Sequence, residues 1–290
     1  MSRLFCFGLG YCGQALARVL TDAGWQVAGT TREEESRVDL DRFGYHAHLM
    51  SRDRPLADGG AAMGGATHVL VSVPPDAAGD PVLDLCGAEV AALRGLRWLG
   101  YLSTTAVYGD HGGAWVDETT QPRPSGERGR RRLAAEQGWR ALARGSGLPL
   151  HIFRVAGIYG PGRSPLDAVR QGRAVRIDKP GHVFSRVHVA DLVDALLASM
   201  TQPSSGAIYN ICDDEPAPQA AVIEYACALL GVAVPPTVPF EAAPLSPMAR
   251  SFYDDNKRVA NRRIKDDLGV RLLYPSYREG LAAILAAETR

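Results

Sequence analysis

The chain is short of the residues that several function classes need. Its 290 residues include five cysteines, at positions 6, 12, 86, 212 and 227. Their number is odd and no two stand at a C-x-x-C spacing, which excludes a disulfide framework and a cysteine zinc site and reads as reduced thiols in a reducing compartment. There is no excess of either charge, since 32 basic residues balance 32 acidic ones. A nucleic acid or an anionic membrane surface therefore finds no basic footprint to bind. The arginine-rich run from Arg123 to Arg132 contains no aromatic residue on which a base could stack. No stretch of about 18 apolar residues is present to span a bilayer. Neither H-E-x-x-H nor G-x-S-x-G occurs, which removes the usual signatures of zinc peptidases and serine hydrolases. His46 and His48 share one side of a short strand without a third ligand near in sequence, so no metal site is expected.

The N-terminus imitates a secretion signal through Arg3, the apolar run Leu4 to Cys12 and Ala15-Leu16-Ala17. The same stretch carries three glycines, at 8, 10 and 13, and cleavage after Ala17 would remove the nucleotide signature described next. The expected location is therefore cytoplasmic.

Hydrophobic residues make up 46% of the chain, ample for a core. The first half alternates short apolar runs with helical patterns, the mark of βαβ units and a parallel sheet. Strands are predicted at Leu4 to Phe7, Gln26 to Thr30, Thr67 to Val73, Trp98 to Ser103 and Leu150 to Val155. Helices are predicted at Gln14 to Ala23, Pro81 to Leu96 and Arg128 to Arg144. The second half is broken by prolines at 216, 218, 235, 236, 239, 244 and 247. It offers a helix at Ala220 to Leu230, a polar stretch from Ser251 to Asp267, and a final helix from Tyr277 to Glu288. The expected fold is α/β, a doubly wound parallel sheet of the Rossmann type over residues 1–158. A strand near 207–211 returns to that sheet, and a small substrate lobe comes from discontinuous segments of 159–290. A small-molecule substrate is expected in the cleft between them.

Gly8-Leu9-Gly10-Tyr11-Cys12-Gly13 follows the first strand and opens the first helix. In such a G-x-G-x-x-G, one glycine makes the turn, one lets the backbone approach a pyrophosphate, and one lets helix and strand pack closely. The helix N-terminus then faces the phosphates with its N–H groups and positive dipole end. The second strand runs into Thr30-Thr31-Arg32, where a site for NAD expects an acidic residue for the ribose 2′-hydroxyl. Arg32 and the Thr31 hydroxyl suit a 2′-phosphate instead. The cofactor reading is NADP, with NAD as the alternative.

Three further segments complete the pattern. They are Ser103-Thr104-Thr105-Ala106-Val107-Tyr108-Gly109, then Arg154 to Gly162 (RVAGIYGPG), then Val187-His188-Val189-Ala190-Asp191-Leu192. In this order and spacing the chain resembles the extended short-chain dehydrogenase/reductases, the NAD-dependent epimerase/dehydratase family, and within it an atypical bacterial subgroup. The resemblance implies that Thr104 hydrogen-bonds the substrate oxygen beside Ser103, and that Ser72, Val73 and Pro74 line the cofactor. It also implies a family tendency toward homodimers. It further implies a Tyr-x-x-x-Lys pair on the next helix, and here the sequence departs. The tyrosine position falls on Arg128 and the lysine position on Arg132. A guanidinium has no accessible neutral form, so Arg128 cannot shuttle a proton as a tyrosine would. Arg132 retains the ability to bind ribose hydroxyls, and the two arginines together could hold a substrate anion. Tyr108 is the first candidate for the missing acid, with Tyr159 and Asp80 behind it; Arg163, Lys179 and Arg186 are candidate anion contacts from the lobe.

The expected activity is NADP-dependent oxidoreduction, or epimerase/dehydratase chemistry, on a small carbonyl or sugar-nucleotide substrate. Two other readings stand beside it. One is an NADP-binding pseudo-enzyme acting as a sensor or scaffold. The other is a hydroxyacid dehydrogenase, suggested by the Lys257–Asn261 spacing, which would require a long all-helical second half.

Overall fold

A computed structural model describes residues 2–289. Along the chain come β1 (Arg3–Phe7), α1 (Tyr11–Asp22), β2 (Gln26–Thr31), α2 (Glu34–Arg42), β3 (His46–Leu49), α3 (Gly59–Ala62), β4 (His68–Val71), α4 (Pro81–Ala91) and β5 (Trp98–Thr104). Next are β6 (Trp115–Val116), α5 (Glu127–Ser146), β7 (Leu150–Val155), β8 (Gly157–Tyr159), α6 (Pro165–Arg170), β9 (Arg176–Asp178) and β10 (Arg186–His188). The chain ends with α7 (Val189–Thr201), β11 (Ile208–Ile211), α8 (Gln219–Leu230), β12 (Thr237–Pro239), α9 (Pro247–Ser251), β13 (Arg258–Val259), α10 (Arg262–Leu268) and α11 (Tyr277–Glu288).

Seven strands form one sheet in the order β11-β7-β5-β4-β1-β2-β3. Neighbours in its β1 half run parallel, with Leu4 opposite Val27 on one side and His68 on the other. The order reverses direction at β1, the topological switch point of a doubly wound fold. Strands β1, β4 and β5 read as unbroken apolar runs because both faces are covered, and nearly all of their residues are buried. The expected strand near 207–211 is β11, at the sheet's edge beside β7.

The chain divides into two compact units. The first comprises residues 1–104, 130–154 and 196–209. Its core packs Phe5, Phe7, Val69, Val71, Tyr101 and Ile152 with Val82, Val90 and Trp139 from α4 and α5. Asp80 caps α4, accepting from the amides of Val82 at 2.9 Å and Leu83 at 3.1 Å. Its other oxygen accepts from the Trp139 indole N–H at 3.0 Å, so one carboxylate seats the cap and satisfies a buried donor.

The second unit comprises residues 105–129, 155–195 and 210–290. It contains three two-stranded parallel pairs, β8 with β10, β9 with β12 and β6 with β13. One core cluster joins Tyr159 and Leu166 to Val222, Ala226, Tyr277, Leu281 and Ile284. A smaller one centres on Ile177, Ala243 and Tyr253, with Phe184 and Phe240 against it. Beyond residue 165 the helices are short and interleaved with strands. That is not the all-helical half a hydroxyacid dehydrogenase needs, and Lys257 there is ion-paired to Asp255 at 3.2 Å.

The second unit also buries a carboxyl group with little help. Asp213 is 1% exposed, and neither carboxyl oxygen has a hydrogen-bond partner among the described residues. Burial pushes its pKa up to about 8, against the opposing pull of the Arg186 charge. Because the folded-state value lies above the unfolded one, the native state favours the protonated form. Its stabilising contribution is therefore full below about pH 4 and is lost as pH rises toward 8. Asp213→Asn should gain stability over the natural chain across this window, on the order of a few kcal/mol at pH 8. Melting temperatures of both proteins measured from pH 4 to 8 check it, and parallel curves would refute it.

Candidate functional site

In the first unit, the end of β1 turns into α1 through the glycine loop. Gly8 has φ +90°, and a Cβ there would lie 2.8 Å from the Ser72 hydroxyl oxygen. The loop is tied to its neighbours, since the Gly8 amide donates to the Thr30 hydroxyl at 2.9 Å and the Leu9 amide to the Thr30 carbonyl at 2.8 Å. Ser72, just past β4, donates to the Gly8 carbonyl at 2.7 Å. Gly13 lies in the first turn of α1, where a Cβ would meet the Gly8 carbonyl oxygen at 2.7 Å and Cys6 Sγ at 2.8 Å.

Gly10 differs from both. It is the N-cap of α1, it offers no side-chain cap, and a Cβ on it would meet nothing within 4 Å. An exposed helix start with open space in front of its amides is the shape that takes a phosphate. Tyr11 and Cys12 form the first residues of that helix. The residues present therefore fit a dinucleotide pyrophosphate.

Thr31 ends β2 and Arg32 follows it, exposed. Nearby Arg37 is held by Glu34 and Asp41, whereas Arg32 has no carboxylate partner among the described residues. Its guanidinium is available to an outside anion. Val73 and Pro74 continue from Ser72 in the segment after β4.

Ser103 and Thr104 form the end of β5. Ser103 is buried, and its hydroxyl donates to Glu136 Oε1 on α5. Glu136 is in turn held by both arms of Arg154 on β7, at 3.1 Å from Nε and 2.8 Å from Nη2. Both members of this ion pair are almost fully buried, and the two-pronged geometry with a third hydrogen bond is what such a pair requires. Arg132 lies one helical turn before Glu136 and donates to the Leu102 carbonyl at 2.5 Å, so the residue at the lysine position grips β5 itself.

In the second unit, Tyr108 is fully buried. Its hydroxyl donates to Asn210 Oδ1 at 2.7 Å, and Asn210 is itself held: its side-chain amide nitrogen donates to the Ala260 carbonyl at 3.1 Å and its backbone N–H to Glu118 at 2.7 Å. This geometry ties the Thr105–Tyr108 turn to β11 and sets Tyr108 to a structural task. Tyr159 is likewise buried, donates to the Ser276 carbonyl at 3.3 Å, and has its ionisation pushed up by burial. Arg128 is exposed, with its guanidinium 4.4 Å from the centroid of the Phe252 ring. Of the other expected acids, Asp80 is the buried helix cap described above. Sequence reasoning missed Glu136; its one signal was an acidic residue four positions after Arg132 on the same helix face.

Comparison with known proteins agrees with this architecture. The pattern of the NAD dependent epimerase/dehydratase family matches residues 82–212. The chain is similar to a conserved protein of unknown function from Silicibacter pomeroyi DSS, with 50% identity over 100% of both chains and a TM-score of 0.90. It is 29% identical to Protein YeeZ of Escherichia coli K12, over 95% of this chain and 97% of that one. The fold, at 15% identity, is also that of UDP-glucuronic acid 4-epimerase from Bacillus cereus solved with NAD, with a TM-score of 0.78 over 98% of this chain and 94% of that one. From α4 through the β5 end to β11, residues 82–212 carry the pattern of the NAD-dependent epimerase/dehydratase family, on a fold shared over nearly the whole chain.

Proposed function

We propose that the protein is an NADP-dependent oxidoreductase or epimerase/dehydratase-like enzyme acting on a small carbonyl or sugar-nucleotide substrate. The observation that carries the cofactor choice is Arg32, an exposed guanidinium at the end of β2 without a carboxylate partner among the described residues. A 2′-phosphate gives it a charge-assisted and bidentate partner. In the same reading Gly10 leaves room for the pyrophosphate at the start of α1, and Ser72, Val73 and Pro74 border the cofactor. A bound nicotinamide would supply or accept the hydride.

The chain's own residues would then position the reacting carbonyl. Thr104 offers it a hydroxyl from the end of β5. Ser103 beside it donates to Glu136, and Thr104 is the member of the pair assigned to substrate. Arg132, fixed on the Leu102 carbonyl, places a permanent positive charge where the family carries its lysine. Arg128 cannot donate the proton a tyrosine would. A second reading, an NADP-binding pseudo-enzyme, is favoured by one observation: the Tyr108 hydroxyl, first in line to replace that tyrosine, is committed to Asn210 inside the core. Turnover of any carbonyl or sugar-nucleotide substrate with NADPH would dismiss it.

Binding titrations with NADPH and NADH test the cofactor assignment. NADPH should bind more tightly, and Arg32→Ala should weaken NADPH by about 10- to 100-fold while leaving NADH nearly unchanged, as expected for losing a hydrogen bond to a charged group. Equal loss for both nucleotides would sink the 2′-phosphate reading. Gly10→Ala places a methyl group in open space at a negative φ. It should keep the melting temperature close to that of the natural chain yet weaken both nucleotides by at least about tenfold. Undiminished binding in that variant would put the pyrophosphate elsewhere.

A further inference from the structure

Two tight turns of the first unit are joined by one side chain. Beyond β3, the Ser51 amide donates to the Arg54 carbonyl at 2.9 Å and the Arg54 amide donates back to the Ser51 carbonyl at 3.1 Å. Arg52 stands in this closed turn. Beyond β4, the Asp76 amide donates to the Gly79 carbonyl at 2.8 Å, and Asp76 Oδ1 accepts from the Ala78 amide at 2.8 Å. The other carboxylate oxygen, Oδ2, accepts from Arg52 Nε at 2.6 Å. The same guanidinium reaches the first turn of α4, where its Nη2 is 2.9 Å from Asp84 Oδ2. Gly79 makes room for this, since at φ +132° a Cβ on it would lie 3.1 Å from that Asp84 oxygen.

The order of the sheet decides what this link spans. Strands β3 and β4 are not neighbours, because β1 and β2 stand between them, and all four run parallel. Three strand spacings, about 14 Å, separate the outer two. Both turns lie beyond carboxyl ends, as do the glycine loop after β1 and Arg32 after β2. The link therefore spans the edge of the sheet where an open α/β fold binds its ligand. Neither turn needs it, because each closes on its own backbone hydrogen bonds. The three side chains are 29%, 43% and 42% exposed, and ion pairs so accessible to water add little to the stability of a fold. They can part and re-form while the core stays intact.

From these observations we infer that Arg52, Asp76 and Asp84 form a gate across the dinucleotide crevice, which must open for a nucleotide to enter or leave. With the pyrophosphate at Gly10 and the 2′-phosphate at Arg32, the adenosine half points toward β2 and β3, so that half passes the gate. The inference rests on the dinucleotide reading and adds a control of exchange to it. A gate barred by the chain's own ion pairs slows entry and exit alike. Its signature is kinetic, whereas a residue that merely touches the nucleotide changes release and affinity together.

Stopped-flow association and chase experiments with NADPH on the purified full chain test this. Arg52→Met should raise the association and release rate constants together, each by about fivefold for the loss of two exposed ion pairs. The Kd should stay within about twofold of the natural value, with the melting temperature little changed. The double variant Asp76→Asn/Asp84→Asn should show the same acceleration, and it carries the test alone if Arg52→Met does not fold. Combining all three substitutions should add nothing further, because they remove one link. Unchanged rates in the folded variants would overturn the gate. Faster release alone with a weaker Kd would overturn it too, by making Arg52 a direct contact, and additive effects would place Arg52 in some other interaction. Failure of the natural chain to bind either NADPH or NADH would instead sink the cofactor reading, before any variant is made, and the gate with it.

Discussion

The first unit is organised around one buried ion pair. Glu136 and Arg154 are each almost fully removed from water, a placement that would cost several kcal/mol per charge if either stood alone. What makes it tenable is completeness: Arg154 uses two nitrogens, Glu136 uses both oxygens, and the Ser103 hydroxyl adds a third donor. These three residues come from β7, α5 and β5. The pair therefore fixes the distance between helix and sheet at the strand end that carries Thr104. Arg132, one turn earlier, pins the same helix to the Leu102 carbonyl. Position and chemistry at the end of β5 depend on this arrangement, because a shift of α5 would have to break a fully desolvated pair.

Much of the first unit could be read from residue order. Strands covered on both faces are continuous apolar runs, and a glycine-rich turn between strand and helix is local in sequence, so β1, α1, β2, β5 and β7 were legible to within a few residues. The second unit was less so, for a physical reason. Its strands β6, β9, β10, β12 and β13 are two or three residues long, too short to display a period of two. They are held by pairing with segments far along the chain, as Val116 is with Val259. Helix α7 escaped because it begins immediately after β10 with no break between them, and the motif Val187 to Leu192 straddles the join. The polar stretch from Ser251 to Asp267 hid both β13 and α10. The Glu136–Arg154 pair was hidden in another way, since 18 residues separate its members and only the fold brings them together.

The altered Tyr-x-x-x-Lys positions have a consistent structural meaning. Arg128 rests on the exposed Phe252 ring, and Arg132 is bound to backbone. Where the resemblance leads one to expect a tyrosine and a lysine, whose charges can be tuned, both positions carry groups whose charge is permanent. The strongly shifted carboxyl of the second unit does not replace them by itself. Asp213 owes its raised pKa first to burial, which explains the shift without a catalytic assignment. A perturbed titration is thus weaker support for a role here than an open position with the right neighbours.

The glycine loop shows the same distinction at the level of single residues. Gly8 and Gly13 are required by packing, since a Cβ on either would press into Ser72, Cys6 or the loop's own backbone. Their presence would follow from the tight strand-to-helix turn whether or not anything binds. Gly10 has no such internal reason, because the space around it is empty and its φ of −86° suits any residue. A residue without a side chain, where the fold tolerates one, points to something outside the chain that must come close. Arg32 makes the complementary case with charge, being an exposed cation just past the end of β2 with no carboxylate partner among the described residues. What points to a dinucleotide is less the motif as a string than two positions, Gly10 within it and Arg32 beyond it, that the folded chain does not need for itself.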